Sequence, residues 1–358
     1  MKSNFNLYNG KTVLVTGHTG FKGSWLCLIL RHLGAKVVGY SLLPDTEENL
    51  FSILNLSEKM SSVIADIRDK QSLNETFHKY QPEIVFHLAA QPLVRKSYLQ
   101  PYYTYDVNVN GTLNVLDSIQ KTSSVRSFIN VTTDKVYKNE ELNIPFEENY
   151  ALDGFDPYSN SKSCSDLITQ CYKRCFFDKN NVAVSSVRAG NVIGGGDFAE
   201  DRIIPDCIRA ARKNEIIEVR KPNSIRPYQH VLEPLFAYLS LAIEQEKDPL
   251  LSDCYNIGPR MEDCISTKRL VEIFCDCWGN HINWKANIEP NSPHEANFLK
   301  LNCRKLNKAI DWTPQLNITQ AVSMVCEWSK AYLEHENLEK IMISQIDQYI
   351  ALISNRNN

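Results

Sequence analysis

The sequence predicts an α/β protein, a doubly wound parallel sheet followed by a smaller C-terminal substrate-binding domain. Three observations predict it. Short apolar runs alternate with longer segments of helical periodicity through the first half of the chain. The runs are apolar at consecutive positions, as strands covered on both faces are. A glycine-punctuated turn joins the first run to the first helical segment.

In order, the runs are TVLVTG (12–17), KVVGY (36–40), SVIAD (62–66), EIVFHLAA (83–90), SFINVTT (127–133) and VAVSSVRAG (182–190). Between the first two, Phe21, Trp25, Leu26, Ile29, Leu30 and Leu33 recur at helical spacing. Val107, Leu113, Val115, Leu116 and Ile119 do so between the fourth and fifth. After Gly190 the rhythm gives way to a glycine-rich loop, GNVIGGGDFAEDRIIPD. Helices mixed with Pro-bounded loops follow, with short strand candidates such as IIEVR (216–220). The boundary is therefore placed there, with residues 1–190 forming the first domain and 191–358 the second. Some segments after residue 230 are free to return to the first.

The 358 residues are 43% hydrophobic and 23% charged, ordinary for a globular chain with a sizeable core. A net charge of −3 without a dense Lys/Arg tract argues against nucleic acid as a partner and for small molecules. The eleven cysteines are scattered. Their closest sets, Cys164/Cys171/Cys175 and Cys275/Cys277, lack the paired spacing of a zinc site, so reduced structural thiols and no metal are expected. The opening MKSNFNLYNGK has no apolar core of signal-peptide type, and no run reaches the roughly 18 apolar residues that span a bilayer. A cytoplasmic enzyme that needs no membrane fits these features.

VLVTGHTGFKGSWL spaces Gly17, Gly20 and Gly23 as G-x-x-G-x-x-G between a strand and a helix. Glycine permits the tight turn and the close backbone approach through which a helix N-terminus directs its N–H groups at a pyrophosphate. This context predicts a Rossmann-type dinucleotide site on Gly17, His18, Thr19, Gly20, Phe21, Lys22 and Gly23, with Leu88, Ala89 and Ala90 after the fourth strand. A satisfied structural role also suits His18 and His87. The second strand ends in GYSLLPD, without the carboxylate that usually holds the ribose of NAD. Ser41 is the ribose candidate, Asp45 stands farther along, and this position alone does not choose NAD over NADP. Asp66, followed by Ile67, accepts from the adenine amino group or else caps the helix RDKQSLNETF.

DPYSNSKS (156–163) carries Tyr158 and Lys162 in a Y-x-x-x-K spacing. Residues four apart share a helix face, so a cationic Lys162 lowers the phenol's pKa and makes it a usable base. Lys162 also suits a nicotinamide ribose. With the glycine turn and a threonine-bearing strand end, the chain resembles the extended short-chain dehydrogenase/reductase family over essentially its full length. TGHTGFKG, HLAAQPLVRKSY, NVNGTLNVL, TTDKVY, DPYSNSK, RAGNVIGGGD, RIIPD, IRPYQHVLEP and PHEA are similar to the motifs of its CDP-D-glucose 4,6-dehydratases in particular.

The resemblance implies a tightly held NAD and a nucleotide-linked hexose, CDP-glucose, as substrate. It assigns Thr133, Tyr158 and Lys162 to the family's catalytic positions and gives Asn108 the task of placing the helix of Tyr158. The implied reaction oxidises the sugar at carbon 4, loses water across carbons 5 and 6 and reduces carbon 6. Asp134 is then the acid for the departing carbon 6 hydroxyl, which requires a pKa raised by burial. Relatives acting on dTDP-glucose carry a glutamate where this chain has Lys135. A neutral Lys135 would be the carbon 5 base, a state that costs roughly 4 kcal/mol of lowered proton affinity. A protonated one would stabilise the enolate oxygen, and a salt bridge to Asp134 or Glu140 would give it no chemical part.

On the substrate side the matched motifs supply Asn191, Arg202, Arg220, Arg226 and His230, with Gln91 and Arg95 after the fourth strand. Arginine forks suit pyrophosphate oxygens, although any single arginine is more often a solvated surface residue. His294 and Glu295 line the nucleotide pocket or cap a helix. A dehydratase of a dTDP- or GDP-linked hexose is the nearest rival. A sugar-nucleotide 4-epimerase would have no use for an acid and a base beside the threonine. A homodimer through helices around 98–121 and 158–178 is implied by the resemblance, and a tetramer stays open.

Overall fold

The structure is a computed structural model and describes residues 4–279, 282–287 and 296–355. Seven parallel strands form its central sheet: β1 (Thr12–Thr16), β2 (Lys36–Ser41), β3 (Ser61–Ile64), β4 (Ile84–His87), β5 (Ser127–Thr133), β6 (Ala183–Ala189) and β7 (Cys254–Ile257). Their order is β7-β6-β5-β4-β1-β2-β3. Chain direction across the sheet reverses between β1 and β4, which opens a crevice beyond their C-terminal ends.

Alternation along each strand supplies two cores. Val13, Val15, Ile84, Phe86, Ile129 and Val131 face one layer, with α1 (Phe21–His32) and the later helices α6 (Leu232–Lys247) and α9 (Leu338–Asn355) packed on them. Leu14, Val38, Val85, Phe128 and Val184 face the other, under α2 (Lys70–Tyr80), α3 (Gly111–Gln120) and α4 (Pro157–Tyr172). A third cluster joins α5 (Ile203–Lys213), α7 (Thr267–Trp278) and α8 (Ile318–Leu333) to the short strand Ile217–Val219. Among the described residues no helix is long and apolar enough to cross a membrane.

Some strand ends differ from the sequence reading. β3 stops at Ile64 because it pairs only with β2, which ends opposite it at Ser41. β4 stops at His87, opposite Thr16, where the chain after Thr16 turns away at Gly17 with φ of +74°, although β5 on its other side runs on to Thr133. Leu88, Ala89 and Ala90 are therefore loop, in reach of a ligand. β7 was not foreseen: CYNI is four residues long and gains its place only from a parallel ladder with β6, almost 70 residues earlier.

Two features bear on later arguments. Residues 101–120 form one helical run in which a π-helical bulge, Asp106–Asn110, interrupts two α-helical stretches. In the first turn of α6, Glu233 is buried and accepts from the backbone N–H of Gln315 (2.8 Å) and Leu316 (2.6 Å) and from the Tyr349 hydroxyl of α9 (2.6 Å). Burial pushes this carboxyl up to about 7.

Candidate active site

A cleft of about 1520 Å³ lies at the C-terminal ends of β1, β4, β5 and β6. That is more than one small ligand needs, and leaves room for a dinucleotide beside a second molecule. Its floor on the β1 side is backbone. A Cβ on Gly17 would meet the Ala89 nitrogen at 2.7 Å, and one on Gly23 would overlap the Gly17 oxygen at 2.1 Å. Gly20 caps α1 with no side chain on the leading N–H groups, so the positive end of a twelve-residue helix is open to an anion. These residues fit a dinucleotide. Thr19, Phe21, Lys22, Ser41, Asp66, Ile67, Leu88, Ala89 and Ala90 also line the cleft.

One expected coenzyme contact, His18, is placed otherwise, and several of the lining side chains have partners within the protein. His18 lies behind the turn, packed where a Cβ of Gly39 would be, with Nε2 at 2.7 Å from the Ser62 hydroxyl. Burial holds it neutral, with its pKa pushed down to about 4. His87 is bracketed by Thr16 (2.7 Å) and Thr112 (3.0 Å). Asp66 does not cap α2, since Asp69 does. Its carboxylate instead grips Arg68 at 2.7 Å and is held below the usual range by that guanidinium. Ser41 shares a hydrogen bond with Thr19 at 3.0 Å. Lys22 donates to the Tyr238 hydroxyl (3.0 Å), and burial together with the charges of Lys162 and Arg202 pushes its ammonium down to about 7.

The end of β5 delivers Thr133, Asp134 and Lys135 to the cleft wall. The chain turns there through a short 3-10 helix, Asp134–Val136, whose first N–H groups need a cap. The Thr133 hydroxyl accepts from the Lys135 N–H (3.4 Å) and donates to Asp134 Oδ1 (3.0 Å). Asp134 is fully buried, and its Oδ2 has no hydrogen-bond partner among the described residues. The Lys135 ammonium stands 3.5 Å from Asp134 Oδ1, the outer limit of a hydrogen bond, and Glu140 pairs with Lys138 instead.

α4 presents Tyr158 and Lys162 to the same cleft from its first turns. Pro157 at its start and the Asp156 cap, which accepts from the Ser159 N–H (3.0 Å), fix where it begins. Ser163 donates to the Val136 carbonyl (2.7 Å) and ties the helix to the turn carrying Asp134 and Lys135. Asn108 lies behind the cleft wall rather than on it. Its amide donates to Ser161 (2.8 Å) and to the Gln91 carbonyl (3.2 Å) and accepts from the Gln91 N–H (2.8 Å). One turn below Lys162, buried Asp166 receives a two-pronged hydrogen bond from Arg188 of β6 (2.8 and 3.0 Å).

The expected lowering of the Tyr158 pKa by Lys162 is not what this environment produces. Burial pushes the phenol up to about 12, and the groups that pull it back are a hydrogen bond with Thr133 and the charge of Arg202. Lys162 is itself pushed down to about 8 by burial. The stronger influence on both groups is lost water.

On the opposite wall, Arg202 pairs with Asp197 at 2.8 Å and Arg220 pairs with Asp201, which Arg95, from the segment after β4, approaches to 3.8 Å. Arg226 donates to the carbonyls of Ile225 and Ala296, and Asn191 has a buried Oδ1 with no partner among the described residues. Gln91 lines the cleft, with its side chain bonded within its own loop, on Leu93 (2.7 and 3.2 Å) and Thr104 (2.9 Å). One expected contact is corrected. His230 is buried against Trp25, accepts from the Leu232 N–H at the start of α6 and does not face the cleft. His294 and Glu295 lie outside the described residues. The sequence reading missed Asp197, Asp201 and Tyr238. The first two stood in plain view in GGGDFAEDR, where acidic residues flank Arg202.

Residues 14–325 match the family model described as GDP-mannose 4,6 dehydratase. A CDP-glucose 4,6-dehydratase of Salmonella typhimurium is 43% identical over 352 residues, covering 97% of this chain and 98% of that one. A dTDP-glucose 4,6-dehydratase of Bacillus anthracis, solved in complex with NAD, superposes with a TM-score of 0.73 at 20% identity, over 91% of this chain and 99% of that one. A UDP-glucose 4-epimerase of Stenotrophomonas maltophila, solved with bound NAD, gives 0.78 at 20% identity, over 91% and 99%. At these identities the two structures speak for the fold alone. A parallel sheet with its glycine turn, a Tyr158/Lys162 helix facing a Thr133 strand end, and a sequence match over most of the length lead to one conclusion: the chain belongs to the GDP-mannose 4,6-dehydratase family of extended short-chain dehydrogenases/reductases.

Proposed function

We propose that this protein is a CDP-glucose 4,6-dehydratase that uses bound NAD to convert CDP-glucose into CDP-4-keto-6-deoxyglucose and water. The observation that carries the reading is the meeting of Asp134 and Lys135 with Thr133, Tyr158 and Lys162 on one cleft wall. An epimerase needs the last three; elimination needs the first two as well. The 43% identity to a CDP-glucose 4,6-dehydratase supports the choice of nucleotide.

The chain's own part follows from its geometry. NAD, laid along the Gly17–Gly23 turn, supplies a reversible hydride acceptor and a positive ring charge. Tyr158, hydrogen-bonded to Thr133, takes the proton of the carbon 4 hydroxyl; Thr133 and the charge of Arg202 favour the phenolate that this requires, and Lys162 in the next turn suits the nicotinamide ribose. Once carbon 4 is a ketone, the carbon 5 proton is acidic, and Lys135 receives it. Asp134 Oδ2, which has no hydrogen-bond partner among the described residues, is the oxygen that gives a proton to the departing carbon 6 hydroxyl. Arg202, Arg220 and Arg226 on the far wall, with Arg95 after β4, hold the diphosphate and nucleoside.

Residues 1–190 then serve the coenzyme and 191–358 the nucleotide sugar, with α6 and β7 returning to the sheet. The enzyme works as a homodimer in the cytoplasm. The first is supported by exposed Leu99 and Tyr102, which are more than four-fifths exposed, and by Leu167 on α4. The second is supported by eleven free thiols.

The test is incubation of CDP-glucose with the purified protein. The expected product is lighter by one water, carries a ketone and a methyl group, and forms without accumulation of reduced coenzyme. Deuterium placed at carbon 4 should reappear in the methyl group, and its loss to solvent would refute the mechanism. Turnover of dTDP-glucose in place of CDP-glucose would refute the choice of nucleotide.

A further inference from the structure

Two kinds of ion pair occur on the substrate wall of the cleft. Arg202 is matched by its own carboxylate, Asp197, which is almost wholly buried. Asp201 is shared. Its Oδ1 contacts Nη1 of Arg220, just past the strand Ile217–Val219, and stands 3.8 Å from Nη1 of Arg95, which follows β4 on the coenzyme side. Arg220 extends its other nitrogen toward Asp206 at 3.7 Å, and Asp206 in turn is engaged by Arg209. Side chains of Arg95, Arg220 and Asp201 are each about a third exposed or more, so water reaches these pairs. Ion pairs of this kind contribute little and exchange readily. Asp201 also sits in the left-handed region, at φ of +60°, in the loop between β6 and α5.

We infer that Asp201 is a built-in stand-in for a phosphate: its carboxylate bridges the cleft between Arg95 and Arg220 until the diphosphate of a nucleotide sugar displaces it and takes over both guanidinium groups. The inference rests on the nucleotide-sugar reading above, since only an anion with several acceptor oxygens outcompetes a carboxylate for two arginines at once. A diphosphate diester carries two negative charges against one, and its oxygens suit the planar forks of both side chains. The displaced carboxylate lies on a loop open to water and needs no new partner. Asp201 thus costs affinity for every phosphate ligand while holding the two arginines from opposite walls in register. It is a positioning and selectivity residue, not a catalytic one.

The variant to make is Asp201→Asn. Asparagine has the same shape, and both residues tolerate the left-handed conformation, so the loop is kept. Calorimetric titration of the full-length protein with CDP should show a dissociation constant about three- to tenfold lower than wild type, the range expected when one or two exposed pairs no longer compete. Cytidine, which has no phosphate, should bind both proteins equally. Glu200→Gln removes the same charge one residue away and should leave CDP affinity unchanged. In an Arg220→Met background the gain from Asp201→Asn should largely vanish. Equal or weaker CDP binding by Asp201→Asn overturns the inference, as does a gain that Glu200→Gln reproduces or that persists in full without Arg220. If wild type still dehydrates CDP-glucose, the functional reading survives such a result. Failure of wild type to bind CDP, UDP or dTDP at all would remove that reading and this inference together.

Discussion

At the scale of single residues, chemistry and stability pull against each other in the cleft. Tyr158→Phe removes the hydroxyl that exchanges the carbon 4 proton and should lower turnover ~10²- to 10⁴-fold, the usual worth of a positioned acid or base. Lys135→Ala should separate the steps: reduced coenzyme builds up by absorbance while dehydrated product does not appear. Full activity in that variant would leave Lys135 only its contact with Asp134. Lys162 illustrates the stability side. Its pKa in the fold is pushed down to about 8 from 10.5, so the unfolded chain holds the proton more tightly. The resulting penalty is present in full at neutral pH and fades as pH rises through 8 toward 10.5. Lys162→Met should therefore abolish activity yet raise the melting temperature at pH 7 by a few degrees, corresponding to roughly 3 kcal/mol. Unchanged or lower thermal stability would mean that its packing outweighs its desolvation. That Gly17, Tyr158 and Lys162 meet at one cleft could be read from the sequence, because their placement follows from local spacing. The surroundings of His230, Gln91 and Asp201 could not, because they depend on which distant group faces each of them.

At the scale of elements, the apolar runs that alternate with helical segments correspond to six of the seven sheet strands. Their ends were less legible, because an end depends on neighbours distant in sequence: β3 ends level with β2, and β4 level with β1 though β5 continues beyond it. The tie between α6 and α9 was equally hidden, since it depends on Glu233 and Tyr349, 116 residues apart. That tie carries a pH signature. The Glu233 carboxyl is raised to about 7, above its unfolded value, so the folded state holds the proton more tightly. Its stabilising share is complete at acid pH and is lost as pH rises through 7. Glu233→Gln, which keeps an acceptor for the Gln315 and Leu316 N–H groups, should raise the melting temperature more at pH 8 than at pH 5. An equal change at both values would indicate that this carboxyl does not titrate in the fold.

For the whole molecule, the exposed Leu99, Tyr102 and Leu167 predict self-association. Paired Leu99→Asp and Tyr102→Asp changes should shift the light-scattering mass from twice the chain's to one chain's, and a wild type already at one chain's mass would contradict the dimer. The π-helical bulge at 106–110 has a consequence of its own. Such a bulge is equivalent to one residue inserted into a regular helix. Deleting a single amino acid there would let residues 101–120 wind without interruption, with every backbone group comfortably matched. The flanking stretches would stay in phase, because the bulge absorbs the extra residue, but the widened turn that carries Asn108 would be gone, and with it the geometry that lets Asn108 reach Gln91 and Ser161 together. Alignment of the tyrosine helix with the loop after β4 thus hangs on an irregularity that local winding alone would remove, so a shorter, smoother helix here would fold well and work badly.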